Sequence, residues 1–355
     1  MVDWSLARQI ARFAAGSEGS ASCSPARPPL TLCQQVRDAE REVSRYTGLA
    51  VAGKAPGPEL IDRAGWAEIN LDSLSRLLDP VADRLNQRLE AAGPLAGALR
   101  MGAGATLAAE AGLVMGYLSK RVLGQYELSL LAPDVPPRLL FVTPNLERVA
   151  RDMDVDRESF EGWVAAHEVT HVLQFGGVPW LRRHLGDLVR EYLETVDVRI
   201  ERDSAGALPR LPHPRALVER FAEGGLAALV QTRTQRSLMS RLQAVMAVVE
   251  GYSEHVMDAV APSLVSEPGD LRAAMERRRG TRSPPERVLG RLLGLDLKLR
   301  QYEHGRRFCN RVVQAHGIDG LNRVWEEPEA LPSLGELARP EDWAERVAGA
   351  SLASA

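Results

Sequence analysis

Ala165-Ala166-His167-Glu168-Val169-Thr170-His171 places two histidines four residues apart with a glutamate directly after the first. On an α-helix, positions four apart differ by about 40° around the axis, so both imidazoles project from one face and can grip one metal ion. Glu168 points elsewhere on the same turn, where it can reach a water on that ion without being a ligand itself. With 7 His and 47 acidic residues among 355, a random chain of this composition would show the pattern on the order of 1% of the time.

The flanking residues read as one helix over 157–175. Asp154 or Asp156 can cap its start, and Glu158 and Glu161 put negative charge in its first turns. Gln174-Phe175-Gly176-Gly177 before Pro179 is a stop. Between these ends Phe160, Trp163 and Val164 lead an apolar stripe into His167 and His171, so the pair faces the interior or a cleft.

A catalytic zinc needs a third protein ligand and an open position for water. The best source is Val249-Glu250-Gly251-Tyr252-Ser253-Glu254-His255-Val256-Met257, in a segment of helical period. Glu250 and Glu254 share a face, so one can ligate while the other accepts the distal N–H of a ligating histidine. Glu250 is assigned as ligand and Glu254 as its supporting partner. His255 is the rival ligand; it points about 140° from Glu250, so the two do not act together on a straight helix. Tyr302 is a candidate hydrogen-bond donor to developing negative charge. His184, His213, His304 and His316 are read as surface or core residues.

Bulk composition narrows the field. Charged residues at 26%, hydrophobics at 45% and a net charge of -3 fit a globular protein and argue against a general nucleic-acid binder. Arg277-Arg278-Arg279, with Arg282 and Arg287, is read as a solvated loop. Cys23, Cys33 and Cys309 are too few for a disulfide framework, which suggests a reducing compartment. Residues 1–12 lack the apolar core of a secretory signal, and no apolar run reaches spanning length, so the expected address is the cytoplasm, without membrane attachment. Residues 93–118, rich in Ala, Gly and Leu, read as a buried helix whose small residues allow close packing.

Helical periodicity dominates, over roughly residues 34–46, 72–92, 96–122, 157–175, 180–201, 215–260, 269–279, 285–315 and 317–325. The clearest strand is Arg138-Leu139-Leu140-Phe141-Val142-Thr143, bounded by prolines and offering its edge to an extended substrate. The fold expected is mainly α with minor β: a helical N-terminal region over 1–130 packed on a catalytic region over 131–355.

Three segments in order, Trp163 to Phe175, Val249 to Asp258 and Lys298 to Phe308, resemble the zincin-like metallopeptidase family across nearly the whole chain. The opening Val2-Asp3-Trp4-Ser5-Leu6-Ala7 is similar to the branch described as coenzyme F420 biosynthesis-associated proteins. The resemblance implies a largely helical zincin-like fold and a zinc-dependent hydrolase. It does not imply F420 binding, since no glycine-rich dinucleotide fingerprint is present. The Glu250/Glu254 spacing resembles the glutamate zincins, whose second acidic residue is usually Asp. The expected chemistry is hydrolysis of a peptide or protein substrate, with Zn²⁺ on His167, His171 and Glu250 and with Glu168 as base. The competing reading is a non-catalytic helical module that binds a partner protein through its cleft.

Overall fold

The computed structural model describes residues 2–16, 27–90, 96–132, 134–195, 232–280 and 295–353. Its contacts gather into two compact units: Met1–Gly177 with Val260–Leu271, and Val178–Ala259 with Arg272–Ala355.

The first unit opens with α1 (Trp4–Ala15), whose N-cap Asp3 accepts the N–H of Leu6 at 3.0 Å. Ala7, Ala11 and Ala15 recur every four residues and are fully buried. In α2 (Leu30–Thr47), Leu32, Val36, Ala39 and Val43 make the same kind of stripe. Strand β1 (Pro58–Ile61) leads into α3 (Arg63–Glu90); α4 (Ala96–Ser119) precedes β2 (Gly124–Glu127). Strand β3 (Arg138–Val142) runs directly into α5 (Thr143–Met153), then comes α6 (Arg157–Gly177). The expected strand therefore stops at Val142, because Pro144 sits in the first turn of a helix, where its missing N–H costs nothing.

The sheet order is β1-β3-β2, with β1 parallel and β2 antiparallel to β3. Leu139 to Val142 are wholly buried, as a short uninterrupted apolar run predicts for a central strand. That position overturns one expectation: β3 is paired on both sides and has no edge to offer a substrate. Among the described strands the edges belong to β1 and β2. Arg138 and Glu59 pair across β1 and β3 at 2.6 Å. Buried Asn145 donates to the carbonyls of Ser119 and Val122, tying the start of α5 to the end of α4.

Helix α4 packs on α1 through its small residues: a methyl group at Gly116 would run into Ala14 and the Ala11 carbonyl. It also packs on α3, but Met101 and Leu113 are exposed, which corrects the expectation of a buried helix.

The second unit contains α7 (Leu181–Thr195) and α8 (Arg233–Leu264), whose last turns from Val260 belong to the first unit. It continues with α9 (Pro268–Gly280), whose first turn up to Leu271 belongs to the first unit, α10 (Leu295–Asn322), short 3₁₀ turns at Arg323–Trp325 and Pro328–Ala330, α11 (Leu334–Ala338) and α12 (Pro340–Ala353). Arg277 to Arg279 form the end of α9 instead of a loop; Arg282 and Arg287 lie outside the described residues, as do Cys23, His213 and the predicted helical residues 215–231. Tyr252 is fully buried, donates to Asn322 at 2.7 Å and meets Trp325 edge-on. Trp343 packs edge-on against Phe308 and donates to the carbonyl of Ala330. Among the described residues no helix is long and apolar enough to cross a membrane.

Candidate metal centre

The histidine-bearing helix α6 is fixed from its first residue. Asp156 is its cap: its Oδ2 accepts the N–H of Ser159 at 2.7 Å, and that bond holds its carboxyl below the ordinary range. Asp154 instead closes α5 from the left-handed region, at φ 54°. Arg157 bridges Glu161 at 2.7 Å and Glu147 at 2.8 Å, so the nearly buried Glu161 is paired. The helix packs on α2, α5 and β2. Gln35 of α2 donates to the carbonyl of Glu158 at 2.8 Å.

Along the apolar face, Phe160, Trp163 and Val164 are buried, followed by a half-buried His167 and a buried His171. The two rings stand edge to face, with centroids 4.8 Å apart and planes at 88°. Buried Glu168 turns toward β2, where its Oε2 accepts the N–H of Tyr126 at 2.9 Å. The register explains why that N–H is available to it. Gln125 lies opposite Leu140 and Tyr126 opposite Leu139, and alternate residues of an antiparallel edge strand direct their backbone groups away from the partner. Gly124 makes the approach sterically feasible: a methyl group there would lie 2.7 Å from Glu168 Cγ and 3.0 Å from Val164 Cγ1.

His171 Nδ1 lies 2.9 Å from Oε1 of Gln174, a residue with no solvent exposure. A carbonyl oxygen only accepts, so the contact is a hydrogen bond in the tautomer that carries the proton on Nδ1. In that tautomer Nε2 is the lone-pair nitrogen. Gln174 has no part in the expectations from sequence beyond marking the helix stop. Its signal was its place one turn after His171, the reach of an i,i+3 pair.

On α8, Val248, Val249, Tyr252, Val256 and Met257 are buried, while Glu250 and Glu254 are partly exposed. The backbones of α8 and α10 cross closely here: a methyl group at Gly251 would strike the backbone of Gly305, and one at Gly305 the carbonyl of Ala247. His167, His171 and Glu250 form a group that can hold a metal ion, each offering one ligand atom, all within 4.8 Å of one another. Two imidazoles and one carboxylate are also a donor set that suits zinc.

His255 is engaged elsewhere. Its Nδ1 donates to Oδ1 of Asn310 on α10 at 2.7 Å, and burial lowers its pKa despite that bond. Tyr302 falls within α10, but its side chain lies outside the described residues. His184 meets Trp180 edge-on and its pKa is lowered by burial, while His304 and His316 are exposed.

The model of one family, described as zincin-like metallopeptidase, matches residues 2–344. Among solved structures, a protein from Chloroflexus aurantiacus, titled "a putative hydrolase with a novel fold", is similar at 29% identity with a TM-score of 0.71; the match covers 98% of each chain. No curated protein matches.

Proposed function

We propose that this chain, which belongs to the zincin-like metallopeptidase family, is a zinc-dependent hydrolase that cleaves amide bonds in peptides or proteins. The observation that carries the reading is the group formed by His167, His171 and Glu250, with Glu168 next in sequence and anchored on Tyr126. A purely structural site does not need that glutamate.

His167, His171 and Glu250 are the residues that would hold zinc. Bound there, zinc supplies Lewis-acid polarisation of the scissile carbonyl and brings the pKa of water down to about 7. The rest falls to the chain's own groups. Glu168 takes the proton of the attacking water on its carboxylate and delivers it to the leaving amine nitrogen. The Tyr126 N–H fixes the carboxylate's direction without consuming a proton. An extended substrate has an edge to pair with in β2, where Gly124 and the Tyr126 carbonyl face away from β3. Such pairing is largely indifferent to substrate sequence.

The test is Glu168→Gln. Zinc content should remain at the wild-type level while hydrolysis of a mixed peptide library falls by about 10²–10⁴-fold. Undiminished hydrolysis would remove Glu168 as base. A zinc-loaded wild type that cleaves no member of the library would favour the partner-binding module over the enzyme.

A further inference from the structure

We infer that Gln174 is a positioning residue for the metal: it selects Nε2 of His171 as the ligating nitrogen by accepting the proton of Nδ1. The inference rests on the reading of His171 as a zinc ligand.

A neutral imidazole carries one proton on either nitrogen, and the metal needs the other. Free in water, the two tautomers interconvert, so an unsupported histidine presents the wrong nitrogen part of the time. At His171 the choice is made by the helix itself. Gln174 lies three residues on, its carbonyl oxygen 2.9 Å from Nδ1, with both side chains shielded from water. In that setting, water does not readily replace the acceptor. A hydrogen bond of this kind also makes the opposite nitrogen a better donor to a cation. The arrangement does for His171 what a carboxylate on a second helix would otherwise have to do, and it remains in place whatever Glu254 contacts. The amide adds no charge to the site.

The experiment has two arms. In the metal-free wild-type protein labelled with ¹⁵N-histidine, long-range ¹H–¹⁵N correlation should show His171 as the Nδ1–H tautomer; an Nε2–H tautomer would overturn the inference. In competition with a chromogenic chelator, Gln174→Leu should bind zinc about 10–100-fold more weakly than wild type, while Gln174→Glu, which keeps an acceptor, stays within about threefold. A folded Gln174→Leu protein with wild-type zinc affinity would overturn it as well. If that variant does not fold, the wild-type spectrum decides alone. If the wild type binds no zinc, the metal reading fails, yet the metal-free spectrum still tests the tautomer.

Discussion

The Glu168 carboxylate is tied to the backbone N–H of Tyr126 at 2.9 Å, which couples the residue following the first histidine to the edge strand β2. The tie depends on Gly124, because any β-carbon there would occupy the space that Glu168 Cγ needs.

Gly124→Ala should therefore displace Glu168 while sparing the histidines. The expected outcome is a loss of hydrolysis of at least about tenfold with zinc content retained, and a destabilisation of about 1–3 kcal/mol from overpacking. Peptide cleavage and a denaturant midpoint on the same preparation check both parts. A variant as active and as stable as wild type would show that the strand and the helix yield freely at this point.

Glu250 and His255 can be separated by zinc affinity. Glu250→Ala removes a donor from the three-residue group and should weaken zinc binding by more than the roughly 10–100-fold typical of losing an outer partner. His255→Gln, which loses a ring already bonded to Asn310, should leave affinity within a few-fold. The reverse pattern in a chelator competition would make His255 the ligand.

The crossing of α8 and α10 gives a stability prediction. A methyl group at Gly305 meets the backbone of Ala247, which cannot rotate away as a side chain can. Gly305→Ala should cost about 3 kcal/mol or more, at the upper end of overpacking penalties. It should also weaken zinc binding, since Ala247 lies one helical turn from Glu250. Thermal melting and zinc titration would each register the change.

Acid should loosen the C-terminal helices through Glu336. Burial alone would raise its carboxyl, but Arg346 and the backbone and hydroxyl of Ser333 hold it below the ordinary 4.5. A carboxyl lowered in the fold gives stability that is present above its unfolded pKa and lost as pH falls through its folded pKa. Glu336 also closes a capping box with Ser333. Glu336→Gln keeps an acceptor for the capping box but loses the charge that meets Arg346, so it should be less stable than wild type by at most about 1 kcal/mol at pH 7, and the gap should narrow below pH 4.5. Urea midpoints at the two pH values read this directly; a gap that widens in acid would contradict it.

Much of this arrangement was legible in the residues. The stripe Phe160, Trp163, Val164, the bounds of α6 and the apolar β3 follow from periodicity that burial enforces strongly. The histidine spacing and the Glu250 segment could be read because metal ligation demands particular residue types. Strands β1 and β2 could not. Each is four residues long, and neither Pro58-Glu59-Leu60-Ile61 nor Gly124-Gln125-Tyr126-Glu127 shows clear alternation, so pairing with β3 supplies what local preference lacks. The same gap hid that β1 and β2, and not β3, are the edge strands. Gly124, Gly251 and Gly305 stayed silent for a related reason: a close approach is a property of the partner, and a glycine by itself does not name one.

The central claim is that His167, His171 and Glu250 hold a catalytic zinc. Anomalous diffraction at the zinc edge, from crystals of zinc-loaded protein, tests it most directly. The account predicts one peak, bound by Nε2 of His171, a nitrogen of His167 and a carboxylate oxygen of Glu250 at about 2.0–2.2 Å, with a remaining position open to solvent. A peak lacking any of these three residues, or a site closed by four protein ligands, would contradict it.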